Sequence, residues 1–95
     1  MDAYDNGQLT PLIMAADRGY TELGLFLIEK GADVNIQHVQ GWTALIDAAR
    51  NGDEKLVSAL IYEGADESLT VKNGMRAVDF ARQNGHKKIV KILSK

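Results

Sequence analysis

At 95 residues, with 45% apolar and 25% charged side chains, the chain has the size and balance of one small soluble globular domain. It has no cysteine, which excludes disulfides, thiol chemistry and cysteine-containing zinc sites. The net charge is only −2, yet residues 1–71 carry 12 acidic and 4 basic side chains, net −8, and residues 72–95 carry 7 basic and 1 acidic, net +6.

That asymmetry reads first as a solvated basic end, and second as attraction to an acidic partner or to another copy of the chain. Nucleic acid is not expected as a partner, because no aromatic residues interleave with Lys87, Lys88, Lys91 and Lys95. No apolar run approaches the roughly 20 residues that span a bilayer, so no membrane role is expected. The acidic, polar start MDAYDNG resembles no secretory or mitochondrial signal, and the chain reads as cytoplasmic.

The dominant feature is a 33-residue period. Gly19, Gly52 and Gly85 keep that spacing, as do Ala15, Ala48 and Ala81, and Leu23, Leu56 and Ile89. Gly31-Ala32-Asp33 returns as Gly64-Ala65-Asp66. The units fall at about 5–37, 38–70 and 71–95, together forming a single domain over 1–95.

In chain order, Thr10 predicts a helix N-cap and Pro11 a first helical position. The spacing predicts a short helix over 11–18, stopped at Gly19, and a second over 21–30, stopped before Gly31. About ten polar and β-compatible residues follow, which suit a hairpin-like loop. The second unit repeats the plan with Thr43 as cap and helices over 44–51 and 54–63, and the third with helices over 77–84 and 87–94. One such pair cannot bury its own apolar faces, whereas stacked pairs cover one another, and the alanines let the short helices approach closely.

These segments resemble the ankyrin repeat, whose pattern is roughly G-x-T-P-L-H-x-A-A-x-x-G-H followed by an apolar helix and G-A-D-V-N. Here it reads TPLIMAADRGY with GADVN, then GWTALIDAARNGD with GADES, then GMRAVDFARQNGH with a closing helix. The resemblance covers nearly the whole chain. It implies a mainly α solenoid of three helix-turn-helix pairs, inner and outer, linked by β-hairpin-like loops.

The departures carry expectations of their own. Ile13, Ile46 and Asp79 replace the motif histidine, and Gln8 occupies a usual glycine slot, leaving the approach to the first helix irregular. Arg76 replaces the capping threonine, which predicts a weaker third inner helix. Gly24 lies inside the first outer helix, where glycine costs about 1 kcal/mol relative to alanine. The first unit therefore reads as the loosest, unless residues 1–4 or a partner cover it.

No catalytic constellation is apparent. His86 shares a repeat slot with Tyr20 and Asp53, which gives it a structural role, and His38 is expected exposed at a hairpin tip. No metal-ligand spacing or phosphate-binding glycine loop occurs, so neither enzyme activity nor a cofactor is expected.

A stack of this kind presents inner-helix faces and hairpin tips as one surface. Helical spacing groups Met14 with Asp17 and Arg18, Asp47 with Arg50 and Asn51, and Phe80 with Gln83 and Asn84. The tips add His38, Val39 and Gln40, then Val71, Lys72 and Asn73, while Leu9, Trp42 and Met75 share one slot beside them. These are the candidate partner-binding residues; Trp42 is expected either to contact the partner, since tryptophan is enriched at binding hot spots, or to pack against a neighbouring hairpin. Asp47 is expected at the rim or on the concave face, since its slot also accepts Met14 and Phe80. The expected function is non-enzymatic protein binding by a monomer with weak self-association at most. The alternatives are a small inhibitor of an enzyme or toxin, or a structural, self-associating unit.

Overall fold

The computed structural model describes residues 10–94. Leu9, the irregular approach at residues 5–8 and the segment 1–4 lie outside the described residues. Six helices follow in order: α1 (Pro11–Arg18), α2 (Thr21–Glu29), α3 (Ala44–Asn51), α4 (Glu54–Tyr62), α5 (Ala77–Gln83) and α6 (Lys87–Leu93). The expected pairs are present, with all the outer and third-unit helices ending one residue short.

Local chemistry sets the helix ends. The Thr10 and Thr43 hydroxyls each accept the backbone N–H three residues on, from Ile13 and Ile46, both at 3.1 Å. Gly19 and Gly52 close α1 and α3 with φ of 77° and 80°, the left-handed conformation that other residues rarely adopt. The third unit differs from the expectation of a weak start. Asp79, in the histidine slot, turns back and its Oδ2 accepts the Arg76 N–H at 2.9 Å. One departure from the motif thus compensates another, as the reach-back half of a capping box.

The inner helices α1, α3 and α5 lie side by side, with Ala15, Ala48 and Ala81 wholly buried between them. The outer helices form a second layer, and Leu12, Leu45, Leu56, Leu60 and Ile89 fill the space between the layers at 0–1% exposure. Gly24 is part of this packing rather than a flaw in it. A Cβ there would stand 3.0 Å from Leu56 Cδ1, so the bare backbone lets α2 and α4 close on each other.

Polar side chains tie each repeat to its neighbour. Asn51 Nδ2 donates to the Ala16 and Asp17 carbonyls at 2.8 and 3.1 Å, and Asn84 Nδ2 to the Arg50 carbonyl at 3.1 Å. The Thr21 hydroxyl donates to Asp53, whose other oxygen caps α4 at the Leu56 N–H. His86 has the structural place its slot implied: its ring packs on Gly52, with Nε2 3.1 Å from the Arg50 carbonyl.

The connecting loops turn as tips of matching geometry. His38 N–H donates to the Trp42 carbonyl at 2.6 Å, and in the next repeat Val71 N–H donates to the Met75 carbonyl at 3.0 Å. Lys72 N–H joins the two tips through the Gln40 carbonyl at 2.7 Å. Gly41, φ 93°, passes so close to the Thr70 carbonyl that a Cβ would collide with it. An antiparallel bridge pairs Thr70 with Arg76, and no strand forms among the described residues.

Candidate functional site

The tips and inner helices enclose a groove made of two hollows. The first, about 340 Å³, is bounded by Ile13, Met14, Asp17, Arg18, His38, Trp42, Asp47 and Arg50. The second, about 390 Å³, is bounded by Gln40, Trp42, Val71, Lys72, Asn73 and Phe80. Trp42 belongs to both. The sequence-derived candidates therefore come together in space, and most of them line one surface.

Trp42 is half-buried, with its ring centroid 5.1 Å from that of Phe80 at a 40° tilt. The Arg50 guanidinium carbon stands 5.5 Å from the Trp42 centroid, within cation–π range. The Trp42 ring is thus fixed by an aromatic neighbour from repeat 3 and a cation from its own repeat. A side chain held this way has little rotamer freedom left to lose.

Arg50 also joins the first two repeats. Its Nη2 lies 3.0 Å from Asp17 Oδ1 and 3.7 Å from Asp47 Oδ1. Of the two places expected for Asp47, the rim is corrected: only 3% of its surface is exposed, and it lines the first hollow on the inner-helix face. Its helix lies in the middle of the stack, and the Arg50 side chain reaches over it toward Asp17. Burial, aided by the nearby Asp17 charge and opposed by Arg50, pushes its carboxyl up to about 7. Asp47 is therefore a buried, only partly compensated acid beneath the groove.

The other candidates divide by accessibility. Val39, Gln40, Lys72 and Asn73 are exposed at the tips, and Asp17, Arg18 and Gln83 are exposed along the inner helices. Gln40 takes the left-handed conformation, φ 63°, and Asn73 Oδ1 accepts the Met75 N–H at 3.1 Å. Met14 and Met75 are half-buried. His38, expected exposed at a tip, is half-buried against the first hollow. Phe80 is buried and belongs to the groove floor, while Asn51 and Asn84 spend their amides on the cross-repeat bonds described above.

Val71, expected at the second tip, is buried and lines the second hollow, while Ile13 lines the first without having been expected there. For Ile13 the available signal was its occupation of the motif histidine slot. Among the described residues no group of three His, Cys, Asp or Glu side chains is placed to hold a metal ion, and no helix is long and apolar enough to cross a membrane.

A family model for ankyrin repeats, in three copies, matches residues 12–95. No curated protein matches the chain in sequence. Ankyrin repeats are in general protein–protein interaction modules, and the family is typically non-enzymatic. The match agrees with the six paired helices and the period that sets them, and the chain belongs to the ankyrin repeat family.

Proposed function

We propose that the chain is a non-enzymatic module that binds a protein partner along the groove. The observation that carries this reading is the continuity of the two hollows through Trp42, with exposed tip residues on either side. Rigid display supports it, since pre-ordered contact residues lower the entropic cost of association.

The test is affinity capture with the full chain, followed by measurement of the captured partner's affinity for a Val39→Glu/Lys72→Glu variant. Both positions are exposed, so the fold should survive, as circular dichroism can check. The expected result is a loss of at least about tenfold, one or more contacts' worth. Unchanged affinity in a folded variant rejects the groove as the binding face.

A further inference from the structure

The outer helices have a direction. Each presents a leading side to the repeat before it and a trailing side to the repeat after it. In α4 the leading side is Leu56, 0% exposed and seated on Gly24, with Asp53 bonded to Thr21. In α6 it is Ile89, also 0% exposed, with His86 packed on Gly52. The same slots in α2 hold Leu23 and Tyr20, which are 41% and 50% exposed, and Phe26 one turn on is 52% exposed. Large apolar groups thus stand uncovered where the later repeats bury theirs.

The repeat geometry specifies what covers a leading side, namely the trailing side of another outer helix. Thr21 and Gly24 form that side of α2, and their equivalents in α6 are Lys87 and Val90, with Lys91 following. Both lysines are exposed and Val90 is half-buried. We propose that the leading side of α2 receives the trailing side of α6 from a second copy, so that the chain stacks head to tail.

Three features support the match. In the register of the internal stack, Lys87 of one copy meets Tyr20 of the next, as Thr21 meets Asp53 within the chain. Lysine stems cover apolar surface while their ammonium groups sit over aromatic faces, and Lys30 already does this at 5.5 Å from the Phe26 centroid. Over longer range, the net −8 of residues 1–71 faces the net +6 of residues 72–95. Pairing two leading sides instead would bring two acidic ends together. A head-to-tail contact leaves a free leading and a free trailing side at each step, so it extends to an open series unless its rotation closes a ring. It is independent of the groove and of any partner bound there.

The experiment is sedimentation equilibrium of the full chain across a wide concentration range at low and high salt. The expected result is a weight-average mass that rises past that of a dimer at low salt and falls back as salt is added. Phe26→Glu blocks the leading side and Lys87→Glu/Lys91→Glu the trailing side, all at exposed positions. Each variant alone should be monomeric, and their equimolar mixture should stop at a one-to-one dimer. If Phe26→Glu fails to fold by circular dichroism, Tyr20→Glu takes its place. A wild-type chain that stays monomeric at low salt overturns the proposal. So does association that survives Lys87→Glu/Lys91→Glu alone, which indicates paired leading sides, and so does a mixture that remains monomeric.

Discussion

Arg50 reaches across a full repeat, a separation of 33 residues, to place Nη2 3.0 Å from Asp17 Oδ1. The same guanidinium stands 3.7 Å from Asp47, so two carboxylates share one cation and the buried one has the longer contact. A charge held in this way makes stability depend on pH.

The sign follows from where the proton sits. Asp47 has an ordinary value of 3.8 and a folded value of about 7, so between these the folded chain holds a proton that the unfolded chain has lost. Stability from this group therefore falls as pH rises through that window, and levels off above it. Asp47→Asn should remove this slope, gaining a few kcal/mol over wild type on the alkaline side, at about 1.4 kcal/mol per unit. Urea denaturation of both proteins at about pH 4 and about pH 8 checks it. Parallel curves would contradict the assignment.

Asp17→Asn isolates the coupling. It removes a like charge from beside Asp47 and releases Arg50 to pair with it, so the Asp47 carboxyl should titrate at lower pH than in wild type. A carbon-detected carboxyl NMR titration reads this directly. An unmoved Asp47 would mean that burial alone sets its value.

Core truncations should behave as buried deletions. Leu45 and Leu60 are at 1% and 0% exposure, and Leu45→Ala and Leu60→Ala should each cost roughly 2–5 kcal/mol. Chemical denaturation giving less than about 1 kcal/mol would contradict their place between the layers.

Gly24 gives a prediction opposite to helix propensity. Alanine should recover little of the ~1 kcal/mol that propensity offers, because its Cβ meets Leu56. Valine should overpack the α2–α4 contact and destabilise by about 1–3 kcal/mol. A stabilised Gly24→Val variant in thermal unfolding would show that the two helices are not in close contact.

Asp79→Ala should weaken α5 by about 1 kcal/mol, the usual size of a lost N-terminal cap. Faster amide exchange of Arg76 would locate the loss at the helix start, and an unchanged rate there would refute the cap.

The period, the helix pairs and most of the groove were legible because their determinants are local or repeated. Thr10, Thr43, Gly19 and Gly52 act within a few residues of themselves, so the ends of α1 and α3 could be read from the sequence. Asp47 could not. Its slot holds Met14 half-buried in the outermost described inner helix and Phe80 buried in the third, and that variety resembled surface tolerance. Asp47 lies on the middle inner helix, packed between α1 and α5, with Arg50 bridging it to Asp17, a tertiary arrangement with no local signal. Asp79 was misleading for the opposite reason. Judged against the motif it was a lost histidine, while its actual service is to Arg76, three residues before it.

The bonds from Asn51 and Asn84 give the chain a temporal order as well as a spatial one. The last carbonyls of α1 are met by Asn51, up to 35 residues later, and the Arg50 carbonyl of α3 by Asn84, 34 residues later. During synthesis, which proceeds N-terminus first, α1 and α3 leave the ribosome with carbonyls whose cross-repeat partners emerge only with the following repeat. Maturation of the nascent chain is thus stepwise, with the first and second repeats each completed by the one that follows.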